Sequence, residues 1–191
     1  MEASTIGGKV HGHEHGERLA AVSVMRIGAL AGMAGGMMMA VYQMIVAAIA
    51  QEPTAVAGIH QTFWTPVSGI ASVVFGQAYF HGGFDVGSVL LGVAGHMANS
   101  MLFGVVGIGI LTVLLGRRPS LGAAAMGGVA FGLVVEAVLV NGIVNGAQSV
   151  HTLYDSAPHW SWWVAHAIFG MTLGGLGALG LRRGETVRTR S

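Results

Sequence analysis

The stretch from residue 86 to residue 115 reads VGSVLLGVAGHMANSMLFGVVGIGILTVLL and contains no Asp, Glu, Lys or Arg. A helix needs about 20 apolar residues to cross a hydrocarbon core about 30 Å thick. Three other apolar runs are long enough to do the same, at residues 27–50, 121–144 and 160–181, and Glu136 is the only formally charged residue in them. The sequence therefore predicts four transmembrane helices.

The composition supports this prediction and excludes several other classes of protein. Hydrophobic residues make up 53% of the chain and charged residues only 9%, whereas soluble domains have about 25% charged residues. The 32 glycines follow no Gly-X-Y period, which excludes collagen, and the absence of cysteine excludes disulfides and thiolate chemistry. A formal net charge of +1 excludes a nucleic-acid partner, which would require a basic surface.

A fifth apolar segment, residues 66–80, is too short to span a bilayer and is predicted to form an interfacial or re-entrant helix. The predicted fold is an all-α, polytopic membrane protein: a four-transmembrane-helix bundle with this short extra helix. We expect a His-containing cytoplasmic tail at residues 1–26, the membrane domain at 27–181 and a basic cytoplasmic tail at 182–191.

The basic residues predict the orientation, because the cytoplasmic flanks of transmembrane helices are enriched in Lys and Arg. All nine lie before the first helix, between the second and third, or after the fourth: Lys9, Arg18, Arg26, Arg117, Arg118, Arg182, Arg183, Arg188 and Arg190. The loops at residues 51–85 and 145–159 have none. We therefore expect a bacterial-type cytoplasmic membrane, with both termini in the cytoplasm and these two loops outside.

Glycine recurs at four-residue intervals in three of the predicted spans. The positions are Gly28, Gly32 and Gly36 in the first span, Gly128 and Gly132 in the third, and Gly170 and Gly174 in the fourth. In a bilayer, small residues at this spacing let helix backbones approach closely. The pattern predicts a tight bundle, and it also suits packing against further helices in a homo-oligomer or against other membrane subunits.

Three ionisable residues that are costly to bury in lipid lie within the predicted spans, and such residues indicate function. They are His96, Glu136 and His166. At 1.5 Å per residue they lie roughly 15 Å, 12 to 14 Å and 9 Å below the predicted outer surface, so they can share one layer. Asn99 follows His96 on nearly the same helix face, and Asn141 lies above Glu136, so both are predicted as supporting polar groups.

Several kinds of chemistry fit these residues. His96, Glu136 and His166 could bind a transition metal together, because imidazole and carboxylate are metal ligands. Alternatively, His96 and His166 could be the axial ligands of a haem between helices. A proton relay or a quinone-contacting site is a third interpretation. A structural hydrogen bond between a buried histidine and Glu136 or an asparagine is a fourth.

A separate cluster of histidines, His11, His13 and His15, lies in the predicted N-terminal tail. On an extended backbone, alternate side chains point to the same side. The cluster could therefore bind Zn(II), Ni(II) or Cu(II), although a solvated terminus is the simpler interpretation.

Two short motifs resemble a known family. The second predicted helix contains Gly95-His96-Met97-Ala98-Asn99, and the last runs from Trp162-Trp163-Val164-Ala165-His166 to Arg182-Arg183. A Gly-His-x-x-Asn element, and a histidine near the start of a last helix that ends in paired arginines, also occur in the YagU-type small bacterial inner-membrane proteins. The second half of the chain resembles this family. The resemblance implies a multi-pass inner-membrane protein without an established reaction, and it draws attention to His96, Asn99 and His166.

These observations predict a polar site near the outer half of the bundle that binds a metal or a redox cofactor, with a transition metal and a haem as the candidates. A noncatalytic accessory subunit of a larger membrane complex is the alternative, and a small oligomeric transporter is the third interpretation. The sequence contains no Gly-x-Ser-x-Gly, P-loop, His-Glu-x-x-His or dinucleotide-binding motif, so it identifies no catalytic residue.

Overall fold

A computed structural model describes the backbone of residues 6–144, 146 and 152–188, and the side chains of 21–144, 146 and 152–183. The α-helices are α1 (Ile6–Ala50), α2 (Thr65–Phe75), α3 (Val86–Leu115), α4 (Leu121–Val135) and α5 (His159–Arg188). A π-helical segment, Glu136–Val144, continues α4, and short 3-10 turns lie at Gln77–Tyr79 and Tyr154–Ser156. The described part of the chain contains no β-strand, which confirms the all-α prediction.

Four helical segments are long and apolar enough to cross a membrane: Ala21–Ala50, Val86–Leu115, Leu121–Val144 and His159–Arg183. They confirm the number of predicted spans, and the second and third have the predicted ends. The short helix α2 ends at Phe75 rather than at the predicted residue 80, because Gly76 takes a φ of 95° that does not continue a helix.

The N-terminal tail differs from the expectation. Residues 6–20, which include His11, His13 and His15, have a helical backbone that is continuous with α1. Extending an existing helix gains one hydrogen bond per added residue, and no proline interrupts this segment. An extended backbone, which would point these alternate histidines to the same side as metal ligands, is therefore not formed.

Large apolar side chains cover much of the outer surface of the helices. Leu30, Val113 and Leu114 are 64%, 83% and 72% exposed. An apolar surface of this extent is unusual for a soluble monomer. It is the surface expected where lipid tails surround a helix bundle.

Helices α1 and α3 pack backbone against backbone through small residues. A side chain at Gly32 would overlap the backbone of Ser100 and Gly104, and a side chain at Gly28 would meet the backbone of Gly104. At the next position of the same face, Gly36 lies against the side chain of Ser100. The close approach requires glycine, because any Cβ would separate the two helices.

Helices α4 and α5 form a second pair of the same kind. A Cβ at Gly128 would overlap the backbone of Gly170, and a Cβ at Gly132 would overlap the carbonyl of His166. Gly174 lies in the same way against the carbonyl of Ala124. The bundle therefore consists of two glycine-packed helix pairs.

The two pairs join on one side and separate on the other. Helix α1 packs along α5. Helices α3 and α4 meet near the turn between them, where Gly107 faces Phe131 and Gly127 faces Leu111, but they share few other contacts. We call this the turn end of the bundle and the opposite end the α2 end; toward the α2 end, α3 and α4 diverge.

Helix α2 lies beside the first half of α3 and runs in the same direction. Val67 contacts Gly92, and a Cβ at Gly95 would lie 3.7 Å from Ile70 Cγ2. The chain then returns to Asp85, whose carboxylate accepts a hydrogen bond from the Ser88 backbone N–H at 2.8 Å and so caps α3. This hydrogen bond holds the pKa of Asp85 below its usual value.

Polar contacts fix α2 to the segment before α5. Thr65 Oγ1 donates to the Ser156 carbonyl at 2.9 Å, and Ser72 Oγ lies 2.7 Å from Thr152 Oγ1. The residues in these contacts, Thr65, Ser72, Thr152 and Ser156, are all buried. Because α2 is held at both of its flanks, by α3 and by this segment, it closes the α2 end of the space between α3 and α4.

Candidate functional site

A cavity of about 240 Å³ occupies the space where α3 and α4 diverge. Residues from all the described α-helices or their extensions line it, and most are apolar, such as Ile70, Phe103 and Leu139. Val74, which is 67% exposed, and Asn99, which is also exposed, lie on its lining. The cavity is therefore open on the side where α2 and α3 face the surroundings of the bundle.

Four polar side chains line this cavity: His96, Asn99, Ser100 and His166. The structure thus brings together His96, Asn99 and His166, three of the polar residues that were predicted from the sequence. Asn141 lies in the π-helical segment and is not part of the lining. Apolar walls with a few convergent polar groups are typical of small-molecule sites.

His96 is oriented by the neighbouring helix pair. Its Nε2 lies 2.9 Å from the carbonyl oxygen of Gly36 on α1. A carbonyl oxygen can only accept, so Nε2 carries the proton and donates, and Nδ1 of the neutral ring has a free lone pair. Within the described part of the chain, Nδ1 has no hydrogen-bond partner.

His166 is oriented in a similar way, with the two ring nitrogens exchanged. Its Nδ1 donates to the Trp162 carbonyl at 2.9 Å and lies 3.0 Å from Glu136 Oε2. The side chain is 4% exposed. In the neutral form of the ring, Nε2 is therefore an acceptor, and no described residue bonds to it.

Glu136 lies behind His166, at the point where α4 becomes π-helical. It is 0% exposed, and apart from the approach of His166 Nδ1 its two carboxyl oxygens have no hydrogen-bond partner among the described residues. A carboxyl oxygen close to the protonated nitrogen of an imidazole fixes the tautomer of the ring. Glu136 is thus placed to act on the cavity through His166 rather than by direct contact.

An aromatic cluster closes the cavity at the α2 end. Trp162 lines the cavity, and its Nε1 donates to the Tyr154 carbonyl at 3.0 Å. The ring of Tyr154 stacks on Trp162 with centroids 6.5 Å apart and lies 4.2 Å from the ring of His159. Burial raises the pKa of the Tyr154 phenol, which therefore stays neutral at neutral pH.

The structure does not support the predicted metal site of His96, Glu136 and His166. In the described ranges, no group of three or more His, Asp or Glu side chains is placed to hold a metal ion. The physical reason is that His96 is directed to α1, whereas Glu136 and His166 face each other. His96 Nε2 bonds to α1, and Glu136 faces the nitrogen of His166 that also bonds to the Trp162 carbonyl.

The spacing of small and ionisable residues in the sequence contains a further signal for this site. Glu136 continues the four-residue series of Gly128 and Gly132, and His166 begins the series of Gly170 and Gly174. Because these faces pack against each other, Glu136 and His166 are brought together. The series of His96, Ser100 and Gly104 in α3 follows the same rule. Ser100, Trp162 and the π-helical segment were not predicted as parts of the site.

The fold and the cavity define an all-helical protein with four helices of membrane-spanning length, arranged as two glycine-packed pairs around a cavity that two histidines line. Among known proteins, no family model, no curated protein and no solved structure matches the chain.

Proposed function

We propose that the chain is a multi-pass protein of a bacterial cytoplasmic membrane, like the YagU-type proteins that it resembles, and that its cavity binds a small, largely apolar redox molecule carrying a hydroxyl group. With both termini in the cytoplasm, the α2 end lies in the outer half of the membrane. One observation carries the proposal: at the same apolar cavity, two buried or half-buried imidazoles each have one nitrogen without a hydrogen-bond partner among the described residues.

The hydrogen-bonding state of the histidines determines what they can bind. His96 Nδ1 and His166 Nε2 are acceptors as long as the rings are neutral. Leaving them unpaired at a buried site costs about 1–3 kcal/mol for each group. A ligand that supplies a hydroxyl donor to either nitrogen recovers this free energy, whereas a purely apolar ligand does not.

The size of the cavity limits the ligand further. Pockets for drug-sized ligands measure about 300–1,000 Å³, and this cavity, at about 240 Å³, is smaller. It suits a single substituted ring better than a haem, whose macrocycle is much larger than such a ring. A longer apolar tail could leave through the open side into lipid.

The open side also explains how such a ligand would enter. Val73 and Val74 of α2 are exposed beside the cavity. In a bilayer these side chains face lipid tails, so an apolar molecule can reach the cavity without passing through water. Lateral entry favours a lipid-soluble ligand over a polar substrate of a transporter.

Binding of an alkylphenol with one hydroxyl group tests the proposal. The purified chain in nanodiscs should bind it, as measured by isothermal titration calorimetry. Because the one hydroxyl group of the alkylphenol can pair with only one imidazole nitrogen, at least one of His96→Ala and His166→Ala should weaken binding about tenfold, the equivalent of 1.4 kcal/mol. His60→Ala is the matched control, because His60 is exposed and lies outside the cavity lining. Empty nanodiscs correct for partition into lipid.

A second variant leaves both histidines in place. Gly95 lines the cavity, and its Cβ position has ordinary contact distance to Ile70, so Gly95→Leu should fill the space without disturbing the helices. We expect a folded protein that no longer binds the alkylphenol. Unchanged binding in all three cavity variants would overturn the proposal and favour the noncatalytic accessory subunit, which mild-detergent purification should then recover with partner chains in a fixed ratio.

A further inference from the structure

We infer that the ligand is a quinol, an aromatic ring with two hydroxyl groups, and that the cavity binds it more tightly than the corresponding quinone. The inference rests on the proposed function and specifies its ligand. It follows from the number of free acceptors at the cavity and from the way in which the two helix pairs present them.

The two histidines occupy equivalent positions in the two helix pairs. His96 precedes Ser100 and Gly104 at four-residue spacing, and His166 precedes Gly170 and Gly174 in the same way. Each of these faces packs against the glycine face of its partner helix, α1 or α4. Two separate walls therefore present one imidazole acceptor each to one cavity, which matches a ligand with two like donors.

The tautomer of each ring is fixed by a backbone carbonyl. The carbonyl oxygens of Gly36 and Trp162 cannot donate a proton, so the histidine nitrogens that face them must do so. His96 Nδ1 and His166 Nε2 consequently cannot donate while the rings are neutral. Glu136 reinforces this arrangement at His166, because a carboxyl oxygen at 3.0 Å from Nδ1 favours a proton on that nitrogen.

The two redox forms of the ligand differ in whether their oxygen atoms can donate a hydrogen bond to these nitrogens. A quinol has two O–H donors, and each can pair with one imidazole nitrogen. A quinone has two carbonyl acceptors, which would place lone pair against lone pair at both positions. Asn99 and Ser100 also line the cavity, but amides and hydroxyls can donate or accept and so discriminate little between the two forms.

Sites built to pair with a hydroxyl group discriminate strongly against ligands that lack one. We expect the quinol to bind at least tenfold more tightly than the quinone. Tighter binding of the reduced form raises the midpoint potential of the bound couple, by about 30 mV for each factor of ten in a two-electron couple. No electron transfer by this chain is required, because the inference concerns binding alone.

The test measures dissociation constants for a short-chain benzoquinone and for its quinol, at one pH and without oxygen, using the full chain in nanodiscs. The wild-type chain should prefer the quinol at least tenfold. In His96→Gln the amide can donate as well as accept, so the preference should fall to about threefold or less. His60→Ala should keep the wild-type preference.

The outcomes separate this inference from the proposed function. Equal affinity for both forms, or tighter binding of the quinone, overturns the inference; if the alkylphenol still binds in a histidine-dependent way, the proposed function stands. Quinol binding no tighter than alkylphenol binding also overturns the inference, since the second hydroxyl would then find no acceptor. If neither the alkylphenol nor the quinol shows histidine-dependent binding, both fail.

Discussion

At the scale of single residues, Glu136 combines an ionisable carboxyl group with complete burial. A carboxyl group with 0% exposure normally has several donors around it, but here His166 Nδ1 is the only one nearby among the described residues. Burying a carboxyl group without partners is costly. The contact with His166 is therefore expected to matter for stability as well as for the cavity.

Removing His166 should leave Glu136 as an isolated buried carboxyl group. Breaking a buried pair by removing one partner costs about 3–5 kcal/mol, and we expect His166→Ala to lower the free energy of unfolding by this amount in a detergent titration. Glu136→Gln combined with His166→Ala should recover part of the loss, because the double variant has no buried carboxyl group. Equal stability of the single and double variants would contradict this account.

At the scale of helices, adjacent glycines in α5 have different roles. A Cβ at Gly174 would overlap the carbonyl of Ala124, whereas a Cβ at Gly175 meets nothing within 4 Å. Gly174 therefore belongs to the interface with α4, and Gly175 does not. The two positions form a matched pair for testing how the helices associate.

Gly174→Ala should separate α4 from α5 and lower the free energy of unfolding by about 1–3 kcal/mol, the usual cost of overpacking. Gly175→Ala should not lower it, because alanine suits a helix better than glycine does. Unfolding in detergent, followed by circular dichroism, measures both. Equal effects of the two substitutions would show that helix propensity, rather than close packing, decides the outcome.

The helix pairs could be predicted only in part from the order of residues. Glycine spacing indicated which faces are narrow enough for close packing, but α3 carries its small residues as Ser100 and Gly104 behind His96, so it was not recognised as the partner of α1. The π-helical segment from Glu136 was also not predicted. The hydrogen bonds of a π-helix join backbone atoms alone, and no regular spacing of side-chain types along the sequence indicates them.

At the scale of the whole molecule, the predicted orientation can be tested with introduced cysteines, because the chain has none of its own. Ala57 is exposed in the segment between α1 and α2, and Ser191 is the last residue of the chain. In intact cells, a membrane-impermeant maleimide should label Ala57→Cys and should label Ser191→Cys only after permeabilisation. The opposite pattern would invert the orientation and place the cavity in the inner half of the membrane.

The number of helices that are long and apolar enough to cross a membrane, and nearly all of their ends, could be predicted from the sequence, because the length of an uncharged apolar run is a local property of the chain. The sequence also pointed to His96 and His166, which line the cavity, since ionisable groups in such runs are costly. Which atoms of these residues have no hydrogen-bond partner among the described residues follows only from the way in which the helices pack. The direction of an imidazole depends on a carbonyl of another turn or helix, such as Gly36 for His96, and no pattern along one helix specifies that contact.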